Sequence, residues 1–88
     1  MRTHFKTLSD RIVPFDRVVE IRLTLQGEDA IISKLKYAYP PDFYILVDDG
    51  TIEAFSCANA DTWSTEPSEY INHWAHSRHQ RFIGKLLE

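Results

Sequence analysis

The chain's 88 residues carry 10 basic and 13 acidic side chains, a net charge of −3, with 43% apolar and 26% charged residues. That length supports a single domain over 1–88 around one small core, and the composition excludes a disordered chain. The acidic balance disfavours nucleic acid and anionic lipid as general partners, and no apolar run approaches the ~18 residues of a membrane span. Cys57 stands alone, which excludes an internal disulfide. With no apolar segment behind Met1-Arg2-Thr3, the expected location is the cytoplasm.

Taken in order, Phe5, Leu8 and Ile12 recur at helical spacing and predict a short N-terminal helix ending before Pro14. Residues 17–25 alternate, with Val19, Ile21, Leu23 and Leu25 on one face and Val18, Glu20, Arg22 and Thr24 on the other. This predicts a half-buried strand.

Residues 31–39 admit two readings. As a strand they line up Ile31, Ser33, Leu35, Tyr37 and Tyr39, and pair Leu25 with Ile31 and Ile21 with Leu35. As a helix they place Glu28 and Asp29 in the first turn and Lys34 and Lys36 in the last, which suits the helix dipole. The strand is adopted, because isoleucine and tyrosine favour it and the helical apolar stripe is thin. Pro40-Pro41 ends the element either way.

Two apolar runs, Tyr44–Asp48 and Thr51–Phe55, then flank Asp49-Gly50 and predict a hairpin with a two-residue type I′ loop. That register sets Val47 opposite Ile52, Ile45 opposite Ala54, and Phe43 opposite Ser56. Tyr44 then faces Phe55, and Leu46 faces Glu53, on the reverse side. A polar loop containing Trp63 follows, and from Pro67 to Leu87 the period becomes helical, with Ile71, Trp74, Ala75, Phe82, Ile83 and Leu86 as the apolar stripe.

The expected architecture is α+β: a four-stranded, mainly antiparallel meander containing the Asp49-Gly50 hairpin, packed by a long C-terminal helix, with a short N-terminal helix beside it. The alternative order, if residues 28–38 are helical, is βαββα. A helix is about 10 Å across and covers about half of one face of such a sheet. Tyr44, Leu46 and Phe55 are therefore expected on an uncovered apolar face, which marks contact with another chain or ligand.

Chemistry-bearing patterns are sparse. His73, His76 and His79 follow at steps of three, but each step turns about 60° further, so three cannot converge on one ion. Asp42, Asp48, Asp49 and Glu53 cluster in sequence around the hairpin without supplying enough oxygens in one loop for a hard cation. There is no nucleophile elbow, phosphate-binding glycine loop or zinc-protease motif. No enzyme, metal site or cofactor is expected.

The leading expectation is a small non-enzymatic accessory protein acting through protein–protein contacts, as a homodimer or on another protein. Tyr44, Leu46 and Phe55 would form the interface, with Trp63 and Trp74 as anchors. One alternative is a nucleic-acid-binding module that uses the aromatic and basic stripe Trp74, Arg78, Arg81 and Lys85. The same stripe is what an amphipathic helix edge presents when long basic side chains lie over a tryptophan. A second alternative is a small-molecule site between sheet and helix, lined by tyrosines and a histidine.

Overall fold

The computed structural model describes residues 3–37, 40–60 and 64–87, with side chains described as far as Ser77. The chain begins with a β-hairpin, β1 (His4–Lys6) and β2 (Ile12–Pro14), followed by a 3-10 turn at Phe15–Arg17. Then come β3 (Val18–Arg22), α1 (Gly27–Lys36), β4 (Phe43–Val47), β5 (Ile52–Phe55) and α2 (Pro67–Leu87). The strands form two separate sheets, β1-β2 and β3-β4-β5, antiparallel throughout. The expected single four-stranded sheet packed by a long C-terminal helix is thereby corrected. From Val18 onward the order is strand, helix, strand, strand, helix, but a second sheet precedes it where a helix was expected.

The N-terminal segment is a hairpin because its buried residues follow a strand period. Phe5 pairs with Val13, and both are fully buried, whereas Ile12 points outward and is mostly exposed. The helical spacing of Phe5, Leu8 and Ile12 was a coincidence of three residues. Thr7 closes the connecting loop: its hydroxyl accepts from the Arg11 amide at 3.1 Å and its carbonyl from the Asp10 amide at 3.0 Å. Asp10 takes a left-handed φ of 63°, a conformation aspartate tolerates better than most residues.

The strand over residues 17–25 is shorter, Val18–Arg22, and changes face part-way along. Val18 pairs with Val47 but Glu20 pairs with Leu46, so Val19 is an extra residue bulged out of β3. The bulge reverses the alternation. Val18 is buried, Val19 and Leu23 are exposed, and Ile21 returns to the core side opposite Ile45.

The β4–β5 hairpin is present, shifted by one residue. Phe43 pairs with Phe55, Ile45 with Glu53, and Leu46 with Ile52, which leaves Asp48-Asp49-Gly50 as a three-residue loop. Val47 accepts from the Gly50 amide and donates to the Thr51 carbonyl, both at 2.9 Å, and Gly50 sits at φ 88°. That is a type I turn closed by a left-handed glycine, the usual three-residue solution. A one-residue shift sends every β5 side chain to the opposite face. Phe55 therefore points into the core, stacked on Phe43 with ring centroids 4.8 Å apart.

The core lies between the two sheets. Phe5 reaches across from β1 to touch Phe15, Phe43 and Phe55, with centroids 4.8, 5.7 and 5.3 Å away. Val13, Val18, Ile45, Val47 and Cys57 complete it, and α2 contributes Tyr70 against Phe55, with Ile71 and Trp74 partly buried behind. α2 thus closes one part of the core with its first turns. It does not run over a four-stranded face.

Residues 27–36 are helical, which overturns the strand adopted over 31–39. Gly27 enters the helix at φ 61°, Glu28 and Asp29 occupy the first turn, and Lys34 and Lys36 the last. Both charge pairs favour the dipole, and the neighbouring strand β3 pairs with β4 instead.

Candidate interaction surface

The outer face of the three-stranded sheet carries Tyr44, Leu46, Ile52 and Ala54, and α1 lies over part of it. The helix rests there on a narrow ridge. Ser33 is its one buried residue among those described, and Ser33 Oγ shares a 2.7 Å hydrogen bond with the Tyr44 hydroxyl. A cleft opens on either side of that ridge. One, of about 230 Å³, runs along Asp29, Ile32 and Lys36 above Tyr44 and Ile52. The other, of about 400 Å³, runs along Ala30, Lys34 and Tyr37 against Leu23 and Pro41.

Successive helix residues turn by about 100°, so Glu28, Ile31 and Leu35 point away from Ser33, while Ile32 stands on the flank of the helix beside the smaller cleft. These aliphatics stay in solvent, with Ile31 61%, Ile32 58% and Leu35 84% exposed. Leu23, at the rim of the larger cleft, is 68% exposed. Scattered single exposed aliphatics are ordinary, whereas three close together on one short helix form a patch.

The expected interface residues divide. Tyr44 and Leu46 are half-buried on the outer face, Tyr44 beneath α1. Phe55 is removed from that face by the register shift and is covered by Phe5 and Tyr70. Trp74 is partly buried against the core, and Trp63 lies outside the described residues. In the basic stripe, Arg78, Arg81 and Lys85 lie on α2 beyond the described side chains, as does His79. His73 meets the edge of Phe15 at 6.1 Å.

The carboxylates near the hairpin serve the fold. Arg11 donates to Asp49 Oδ2 at 2.8 Å, to Glu53 Oε2 at 3.3 Å and to Thr51 Oγ1 at 2.7 Å, tying the first hairpin's loop to the second's. Glu53 is turned inward by the register and also receives Ser9 Oγ at 2.7 Å. Arg17 pairs with Asp48 at 3.0 Å, and Asp42 accepts the Cys57 amide at 2.7 Å. Hydrogen bonds from the Thr51 hydroxyl and amide, then from Arg11, hold the Asp49 carboxyl well below the usual carboxylate range. Burial, reinforced by the Asp42 charge, pushes the Cys57 thiol up to about 11, so at neutral pH it is a protonated core residue. Among the described residues, no group of three histidine, cysteine or acidic side chains is placed to hold a metal ion. Among the same residues, no helix is long and apolar enough to cross a membrane.

No family model matches this chain, and neither the curated proteins nor the solved structures provide a match. The α1 surface is the feature that sequence reasoning missed. Its signal was present in the opposed charges at the two ends of residues 28–36.

Proposed function

We propose that this chain is a small non-enzymatic accessory protein that works through protein–protein contacts made by the outer face of α1. The observation that carries the reading is the exposure of Ile31, Ile32 and Leu35 on a helix that touches its own sheet through Ser33 alone among its buried residues. Burying such a side chain fully contributes about 1.5–3 kcal/mol, a gain the isolated subunit leaves unused and a bound protein would collect. The engaged carboxylates and the protonated Cys57 support a binding role over a catalytic one. A reduced, buried lone cysteine suits the cytoplasm.

The test is the triple variant Ile31→Ser, Ile32→Ser and Leu35→Ser, followed by thermal unfolding and by photo-cross-linking from position 28, on the same side of the helix. A contact face predicts an unchanged melting temperature and loss of the cross-linked protein adduct. A large fall in the melting temperature of a monomeric subunit would refute the reading, because those side chains would then be packing against their own sheet.

The cleft of about 400 Å³ beside Tyr37, Tyr44 and Pro41 favours a second reading, a small-molecule site, since its size falls within the range of ligand pockets. A metabolite that raises the melting temperature of the wild type but not of Tyr37→Ala would support it.

A further inference from the structure

Resting on the contact role of α1, the geometry points to a second copy of this chain as the occupant. The two helices pack antiparallel about a two-fold axis near Ile32–Ser33, so that Asp29 of each subunit meets Lys36 of the partner subunit.

The argument starts from where the charges stand. Asp29 and Lys36 are one heptad apart, so they lie within about 20° of each other around the helix, along one edge of the apolar stripe. Both border the smaller cleft together with Ile32, and Lys36 is exposed at the helix end with its Nζ 5.5 Å from the Tyr37 ring. A two-fold axis perpendicular to two antiparallel helices lays this edge of one against the same edge of the other, with the residue order reversed. Asp29 then falls opposite the partner subunit's Lys36, and Lys36 opposite the partner subunit's Asp29, so the sequence of α1 is complementary to itself. A parallel pair would instead set this edge against the opposite edge of the partner, and Asp29 and Lys36 would form no ion pair between the copies.

The remaining positions agree. Ile32 of each copy lies beside the axis, and Leu35 falls between the partner subunit's Ile31 and Glu28. On the far edge stand Ile31 and Glu28, while Lys34 lies on the other flank of the helix by the larger cleft and brings no like charge into the contact. Each positive helix N-terminus also lies beside the partner's negative C-terminus. Apolar burial drives this association and the charges choose its direction, as in other symmetric helical contacts. A contact built on three helical turns belongs to the small, reversible class, seen as a solution mass that rises with concentration.

Sedimentation equilibrium tests the pairing with two charge reversals, Asp29→Lys and Lys36→Asp, each checked for unchanged helicity by circular dichroism. Wild type is expected to dimerise, and each variant alone to dimerise at least ~10-fold more weakly, because both ion pairs become repulsive. An equimolar mixture of the two variants should recover the wild-type dimer, since each reversed charge then meets an opposite one. A mixture that behaves as the sum of its parts overturns the antiparallel pairing. A wild type that stays monomeric up to about 1 mM overturns the second copy as occupant. If the triple serine variant is then as stable as wild type, the contact role stands with a foreign protein as partner. If that variant is destabilised, both readings fall.

Discussion

The two sides of the β3-β4-β5 sheet show how unevenly this chain distributes its apolar residues. On the inner side Phe5, Phe15, Phe43 and Phe55 interlock, each at most 2% exposed, and the neighbouring valines and Ile45 are equally buried. On the outer side Tyr44 is met by one serine, while Ile31 and Leu35 of α1 face away and Ile32 stands exposed at the smaller cleft. Both regions are comparably apolar in sequence. What separates them is that the inner side is closed by two further elements, the β1-β2 hairpin and the start of α2, whereas α1 is a single short helix standing on one ridge. Burial here follows the number of covering elements and not the local hydrophobicity.

The sharpest way to break that contrast is to attack the inner side. Phe43→Ala should cost about 3–5 kcal/mol of unfolding free energy in urea titrations, as for other large-to-small core changes. Phe55→Asp should prevent folding outright, a consequence of its place in the core and not of any interface, visible as loss of near-ultraviolet circular dichroism. The hinge between the two regions is tested next. Tyr44→Phe removes the bond to Ser33 and should cost about 1 kcal/mol, with faster amide exchange confined to α1. Gly50→Ala should also cost about 1 kcal/mol, because nothing stands within 4 Å of the new methyl and the cost is that of holding an L-residue at φ 88°.

Titration probes the same asymmetry. The Asp49 carboxyl is held below its unfolded value, so the stability it contributes is present above about pH 4 and is lost as the pH falls further. Asp49→Asn should flatten the acid limb of the stability profile. The Cys57 thiol is raised to about 11, so its contribution is full below the unfolded value of about 8.5 and is lost as the pH climbs towards 11. Cys57→Ala should flatten that alkaline limb. The smallest effect belongs to the outer side: Leu35→Ser should shift unfolding by no more than about 0.5 kcal/mol, in contrast to Phe43→Ala.

Element positions were legible in the sequence where turn chemistry marked them, as at Asp49-Gly50, but faces and registers were not. An aspartate-glycine pair serves a two-residue loop or the end of a three-residue one, and the choice moved Phe55 from the outer side to the core. The bulge at Val19 leaves no trace in a sequence that alternates on both sides of it. For the first hairpin, three apolar residues at helical spacing outweighed the strand pairing of Phe5 with Val13, which exists only once the chain has folded back. In α1 the charges at the two ends mark the helix, and they prevail over the β propensity of Ile31, Ile32 and Tyr37. The carboxylates around the hairpin were visible as a cluster, but their partner Arg11 lies about 40 residues away and nothing local announces it.

That long reach bears on how the chain comes off the ribosome. Strand β1 emerges first, yet Phe5 has no aromatic companions from the main sheet until Phe43 and Phe55 have been added. At roughly 5–20 residues per second, the early hairpin waits about 2–10 s for its other half. During that interval its phenylalanines are open to chaperones, and a nascent chain halted before residue 55 should be captured by them and digested far more readily than one released.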